Sequence, residues 1–97
     1  PDMKITRHLR IEGRVQGVGY RAALRAEAES SGISGWVRNR RDGSVEAVVQ
    51  GSPAAIERIL AWARRGPPAA SVVTVDAQAA QGGLDRPYNG FEMLPTA

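Results

Sequence analysis

GRVQGVGYR, residues 13–21, is the stretch at which the sequence changes from a period of two to a helical period. Residues 4–13 before it alternate between apolar and polar side chains, which is typical of a half-buried strand. Residues 20–31 after it are mostly good helix formers, and Gly32 follows them as a helix-ending residue. The stretch therefore predicts a tight connection from a first strand to a first helix.

The remaining segments continue this pattern of short strands and helices. Asp42-Gly43 is a hairpin signal, and Ser52-Pro53 has the form of an N-cap followed by a proline in the first helical turn. We predict, in chain order, strands at 33–40 and 44–50, a helix from Pro53 to the Gly66-Pro67-Pro68 stop, a strand at 72–77, a loop at 81–89 and a short strand at 90–94.

The order βαββαβ with a short terminal strand is that of an α+β, ferredoxin-like split βαβ sandwich. Its sheet is antiparallel or mixed, and both helices lie on one face. A chain of 97 residues has room for one core, so we expect residues 1–97 to form a single domain. No apolar run is long enough to cross a membrane, and the charged, alternating start does not resemble a signal peptide. We expect a cytoplasmic monomer.

Composition excludes several kinds of chemistry. The sequence contains no cysteine, which excludes disulfides and thiolate catalysis, and its one histidine, His8, leaves no His pair for a triad or an ordinary zinc site. We expect His8 to be a solvated residue on the open face of the sheet, without a role. The carboxylates are scattered over strand, helix and turn, so we predict no metal and no cofactor; they include Glu12, Glu27, Glu29, Asp42 and Glu46.

The net charge of +3 comes from 13 basic residues, twelve of them arginines, against 10 acidic ones. It allows an anionic partner, either nucleic acid or a phosphorylated small molecule, although a compositional bias of the genome explains the surplus as well. Arg38, Arg40 and Arg41 form a basic run at the predicted hairpin. They are either solvated turn residues or a weak electrostatic guide for an anion.

The 13–21 stretch also has the features of an anion-binding site. Backbone N–H groups at a helix N-terminus lack partners, and Gly17 and Gly19 let consecutive N–H groups turn toward one anion. Arg21 follows in the first helical turn, where its guanidinium can meet the same anion with two donors. The alternative is a structural β–α connection whose arginine points into water, and the spacing alone leaves both open.

Asn39 ends the second predicted strand, next to the hairpin. Asparagine in this position is commonly a turn residue. Its side-chain amide can also donate and accept at once, which suits the positioning of a neutral water molecule. The residue types alone do not separate the two interpretations.

Together, GRVQGVGYR and GWVRNRRDGSVEAVVQG (residues 35–51) resemble the acylphosphatase family, whose members hydrolyse the carboxyl-phosphate bond of acyl phosphates. The resemblance covers residues 5 to 93 and includes the element order. It implies that Arg21 and the loop from Val15 to Tyr20 bind the phosphate, and that Asn39 orients the attacking water. The loop members are Val15, Gln16, Gly17, Val18, Gly19 and Tyr20.

The implied partners are a small acyl phosphate and, as product or inhibitor, inorganic phosphate or a similar anion, without nucleic acid or membrane. One departure is visible, since the family usually has Phe or Met where this chain has Tyr20.

Two alternatives from other classes remain. An RNA-binding module of the same fold would carry stacking aromatic residues on its two central strands, but residues 4–13 and 44–50 contain none. A non-catalytic acylphosphatase-like domain of a larger protein is the second alternative. The self-contained length of the chain and the presence of both Arg21 and Asn39 argue against it.

Overall fold

The computed structural model describes residues 3–97; residues 1 and 2 of the predicted domain lie outside the described part. The elements follow the predicted order, with a 3-10 turn at Gly82–Leu84 inside the predicted loop. The strands are β1 Ile5–Arg14, β2 Ser34–Asn39, β3 Val45–Gly51, β4 Ser71–Ala79 and β5 Phe91–Met93, and the helices are α1 Tyr20–Ser30 and α2 Pro53–Arg65.

All five strands of the described residues form one sheet, in the spatial order β4-β1-β3-β2-β5. Neighbouring strands are antiparallel except for β2 and β5, which are parallel. The predicted ferredoxin-like α+β arrangement, with a mixed sheet and a short terminal strand, is confirmed. β3 is the central strand, between β1 and β2.

Both helices cover the same face of the sheet. The odd-numbered residues of β1, β2 and β3 point toward them, and most of the apolar ones are fully buried, as at Leu9, Val37 and Val45. These strand residues pack in one cluster with Leu24 of α1 and Ile56 of α2. The alternation that predicts the strands therefore also decides which of their residues enter the core. The even-numbered residues line the open face.

Element boundaries differ from the predicted ones by one or two residues, for local reasons. Ile33 belongs to the turn after α1, where its N–H donates to the carbonyl of Ala28 at 2.8 Å. Gly32, with a φ of 70°, makes this left-handed helix end possible. β4 is longer than predicted because its pairing with β1 continues to Ala79, opposite Arg7.

The connection from β4 to β5 crosses from one edge of the sheet to the other. Gln50, at the end of β3, holds it in place. Its Nε2 donates to the Thr6 hydroxyl at 2.9 Å and to the Arg86 carbonyl at 2.8 Å, and its Oε1 accepts from the Tyr88 N–H at 3.0 Å. None of the helices in residues 3–97 has the length and apolar character needed to span a bilayer.

Gly35 is a point of close backbone approach in the sheet. Its φ of 139° lies in a region that other residues rarely adopt, and a Cβ built on it would lie 1.9 Å from the Val48 carbonyl oxygen. Any side chain would therefore push β2 away from β3. Gly83, in contrast, has open space around the position of a Cβ.

We expect Gly35→Ala to lower the free energy of unfolding by about 3 kcal/mol or more, because steric overlap and an unfavourable φ act together. Urea unfolding of the variant measures this loss. Gly83→Ala is the matched control and should change stability by less than about 0.5 kcal/mol. Equal stability of the two variants would show that the sheet relaxes around the new methyl group.

Candidate active site

The start of α1 and the end of β2 lie at the same end of the molecule. α1 leads through a short turn into β2, so the strand runs back along the helix and brings Asn39 level with the first helical turn. Asn39 follows the buried Val37 by two residues, so its side chain lies on the helix-covered side of the sheet. Arg21 is in the first turn of α1. The fold thus brings the two predicted catalytic residues to one end and one side.

The loop before α1 has the backbone shape that the glycines predict. Gly17 and Gly19 have φ values of 72° and 78°, and Gly19 is the N-cap of α1. A Cβ at either position would meet nothing within 4 Å, so the positive φ is what requires glycine here. Among the described residues no side chain caps α1, which leaves the N–H groups of its first turn without a side-chain acceptor.

The side chains of Val15 and Tyr20 anchor this loop in the core. They are 2% and 1% exposed. The Tyr20 hydroxyl donates to the Ala63 carbonyl of α2 at 2.8 Å, and burial raises the pKa of this phenol above its usual value. Val18, between the two glycines, is half-buried and packs against the core. Any contact of Val15 or Tyr20 with an anion must therefore come from the main chain.

Gln16 makes a connection that the sequence analysis did not anticipate. Its side-chain Nε2 donates to the Arg40 carbonyl at 2.7 Å and to the Ser44 carbonyl at 2.9 Å. Both acceptors belong to the β2–β3 hairpin, and Arg40 directly follows Asn39. The predicted phosphate loop and the strand end that carries Asn39 are thus hydrogen-bonded to each other. No local sequence pattern signals these contacts, because Arg40 and Ser44 lie 24 and 28 positions after Gln16 in the chain.

The two predicted catalytic side chains have unused hydrogen-bonding capacity. Arg21 is half-buried, and the ion pairs within residues 3–97 do not include it. The Oδ1 of Asn39 is buried and has no hydrogen-bond partner; among the described residues it is the only buried side-chain nitrogen or oxygen in that state. Such an atom costs about 1–3 kcal/mol of stability, so its presence calls for an explanation.

The basic run at the hairpin is divided between two environments. Arg38 and Arg40 lie on the open face, where Glu46 accepts from Arg38 Nε at 2.8 Å and from Arg40 Nη1 at 3.2 Å. Arg41 is exposed and takes part in none of the ion pairs found within residues 3–97. Two of the three arginines therefore share one carboxylate.

The prediction that His8 is simply solvated was wrong. His8 is on the open face, as predicted, but it is half-buried and its Nε2 lies 2.6 Å from Glu46 Oε2. Burial raises the pKa of the Glu46 carboxyl, but hydrogen bonds from His8 and then Arg38 outweigh it and leave that pKa below its usual value. The contact joins residues on two strands, which is why neither neighbouring sequence revealed it. The sheet separates His8 from Arg21 and Asn39.

The carboxylates of residues 3–97 do not form a metal-binding cluster with His8. In residues 3–97, no group of three or more His, Asp or Glu side chains is arranged so that it could hold a metal ion. Asp42 lies at the hairpin, where it accepts from Ser44 and from Arg10.

A glycine-shaped loop at the start of α1 and an asparagine at the end of β2 lie at one end of a ferredoxin-like sandwich, and this arrangement defines a class of small α+β proteins. The family model described as acylphosphatase matches residues 7–93. The chain therefore belongs to the acylphosphatase family.

Individual relatives agree over nearly the whole chain. The acylphosphatase of Thiobacillus denitrificans is 56% identical over 87 residues, which are 90% of this chain and 93% of the relative. The acylphosphatase of Azoarcus sp. is 53% identical over an alignment that covers 99% of this chain and 96% of the relative. The solved structure of an acylphosphatase from Coxiella burnetii superposes with a TM-score of 0.87 at 32% identity, covering 94% of this chain and 93% of that one.

Proposed function

We propose that this chain, as an acylphosphatase, hydrolyses small acyl phosphates with Arg21 and Asn39 as its two catalytic side chains. Family membership supports the reaction, which splits the carboxyl-phosphate anhydride into a carboxylate and inorganic phosphate. The assignment of roles rests mainly on one observation, the buried and unpartnered Oδ1 of Asn39. An acceptor held in this state is already oriented for a donor that arrives with the substrate.

Arg21 and the loop hold the phosphoryl group in this proposal. In residues 3–97 no carboxylate forms an ion pair with the guanidinium of Arg21, and its fork of donors matches two phosphate oxygens. The N–H groups at the start of α1 add donors and the positive end of the helix dipole. Together they stabilise the charge on the equatorial oxygens during transfer. The loop residues whose main chain contributes are Val15, Gln16, Gly17, Val18, Gly19 and Tyr20.

Asn39 positions the nucleophile. Its Oδ1 accepts a hydrogen bond from the attacking water and directs the water oxygen at phosphorus, in line with the bond to the leaving carboxylate. That P–O bond breaks as the new one forms, and the proton that the water loses passes to a phosphate oxygen or to solvent. The departing carboxylate is a weak base and needs no proton near neutral pH, so the reaction requires no general acid. This explains how so few side chains suffice.

The wider organisation is also a proposal. We assign residues 1–97 to one domain, since the described elements share one sheet and one core cluster. We propose a cytoplasmic monomer that acts on a small acyl phosphate, with no nucleic-acid or membrane partner and no metal. The pairing of the open-face arginines supports one part of this proposal, the absence of a nucleic-acid partner. Arg10, Arg38 and Arg40 each contact a carboxylate, which leaves them poorly suited to a phosphate backbone.

Arg21→Gln should lose phosphate affinity and turnover together while the protein stays folded. Removal of a charged donor to the transferring group should lower kcat/KM by about 10²-fold to 10³-fold. Hydrolysis of an aromatic acyl phosphate and inhibition by inorganic phosphate measure the two effects. Arg58→Gln, on the exposed side of α2, is the matched control and should match the parent protein. Near-parental hydrolysis by folded Arg21→Gln would refute the role of Arg21.

Asn39→Ala should behave differently. We expect kcat to fall by about 10²-fold, whereas inorganic phosphate binds within about twofold of its original affinity, since Asn39 contacts water and not phosphate. Removing an unpartnered buried oxygen should also leave the free energy of unfolding unchanged or raised. Asn89→Ala, in the exposed β4–β5 connection, is the control. A parallel loss of phosphate affinity would instead make Asn39 a substrate-holding residue.

Chelation should leave the activity intact, because arginine and backbone N–H groups supply the charge stabilisation. The rate should also vary little between about pH 6 and pH 8, since neither an arginine guanidinium nor an amide titrates there. The measurement is hydrolysis with and without chelator over this range, corrected for spontaneous breakdown. The mechanism would be contradicted if the chelator abolished the activity and added magnesium or zinc restored it. A steep neutral-pH dependence would implicate His8 despite its place on the open face.

A further inference from the structure

We infer that Gln16 is a positioning residue whose side-chain amide sets the separation between the phosphate-binding loop and Asn39. The inference rests on the proposed function. It assigns to the Gln16 side chain a task distinct from the main-chain contact of the same residue. The amide does not touch the substrate; it acts through the hairpin that carries Asn39.

The hydrogen bonds of Gln16 join two parts of the site that the chain does not connect directly. Arg21 and the loop amides belong to the β1–α1 connection, and Asn39 belongs to the β2–β3 hairpin. Nε2 of Gln16 reaches across to the carbonyls of Arg40 and Ser44, at 2.7 and 2.9 Å. Each of its two N–H groups therefore has an acceptor on the hairpin, and this leaves the amide little freedom to rotate.

The hairpin that receives these bonds is itself well braced. Arg40 N–H donates to the Ser44 carbonyl at 2.8 Å, so the hairpin closes on one of the acceptors that Gln16 uses. Asp42 Oδ1 accepts from the Ser44 N–H and hydroxyl at 2.9 and 2.6 Å, and Arg10 Nη2 lies 2.6 Å from Asp42 Oδ2. These bonds, those of Ser44 foremost, hold the pKa of Asp42 well below its usual range.

The loop that carries Gln16 is equally well anchored. Val15, next to Gln16, is almost fully buried, and Tyr20 joins the loop to α2. Gln16 thus connects two stable units, one that holds phosphorus and one that holds the water. An in-line attack is slowed when the water is misplaced by as little as about 1 Å. A change in the distance between the loop and the hairpin therefore affects turnover more than phosphate binding.

Gln16→Ala tests the inference. We expect kcat to fall by about tenfold to 10²-fold while the inhibition constant of inorganic phosphate changes less than about threefold. Since Gln16 acts through Asn39, the double variant Gln16→Ala/Asn39→Ala should have the kcat of Asn39→Ala alone, within about threefold. A double variant in which the two losses multiply would overturn the inference, and so would a kcat of Gln16→Ala within about twofold of the parent.

Gln50→Ala is the matched control, because it removes the same kind of amide. Gln50 also donates from Nε2 to two acceptors, but it lies at the opposite end of β3. Its acceptors are the Thr6 hydroxyl of β1 and the Arg86 carbonyl of the β4–β5 connection. It should lose comparable stability, about 1–3 kcal/mol, and retain the parental kcat. If Gln50→Ala loses kcat to the same extent as Gln16→Ala, general destabilisation explains the effect and the positioning role is wrong.

Gln16→Glu provides a second variant that keeps the length of the side chain. An ionised carboxylate cannot donate to the two carbonyls, whereas a protonated carboxyl can donate to one. Its kcat relative to the parent should therefore rise as the pH is lowered from about 7 to about 5. A pH-independent ratio near one would overturn the inference, even if Gln16→Ala does not fold. Full activity of Asn39→Ala would refute the proposed role of Asn39, whatever the Gln16 variants do. Loss of activity in Asn39→Ala but not in the Gln16 variants would refute only the positioning role of Gln16.

Discussion

The helices cover only one face of the sheet, and the rest of the structure depends on this constraint. In a strand, alternate side chains point to opposite faces, so each residue of β1, β2 and β3 belongs either to the helix side or to the open side. Val37 and Asn39 therefore share the side on which α1 begins, whereas Arg38 and Arg40 face away from it. The candidate active site lies where the covered side of the sheet reaches the end of the core.

The two sides use their polar groups in opposite ways. On the open face, Glu46 is surrounded by His8, Arg38 and Arg40, and its charge is used within the protein. At the end of the helix side, and among residues 3–97, Arg21 has no carboxylate partner and Asn39 Oδ1 has no hydrogen-bond partner. Unpaired groups lower stability, and their concentration at one place is typical of a site prepared for a ligand.

Much of the fold was predictable, because its signals are local. Period-two alternation, the Asp42-Gly43 turn and the Ser52-Pro53 cap each specify an element within a few residues of chain. In the structure Ser52 indeed caps α2 by accepting from the Ala55 N–H at 3.2 Å. The element order then limits the topology to a split βαβ arrangement, which the sheet confirms. Arg21 and Asn39 were also identified as candidates, but residue type and spacing left a structural alternative open for each. The family resemblance of the two motifs that contain them implied the catalytic interpretation.

The contacts that organise the site were not predictable in this way. Gln16 donates to the backbone carbonyls of Arg40 and Ser44, which lie 24 and 28 positions further along the chain. Every residue has a backbone carbonyl, so residue type does not indicate which carbonyl accepts a hydrogen bond. The same holds for Tyr20 and the Ala63 carbonyl, and the pairing of His8 with Glu46 required the register of β1 against β3.

The sequence by itself determined the elements, their order and the residue types at the site, since propensity, periodicity and turn chemistry act over short distances. Only the tertiary structure decided which side chains share a face and an end of the sheet, because strand register and helix packing bring together residues that are distant in the chain. It also decided which of the many arginines contact a carboxylate and which one, at the start of α1, does not.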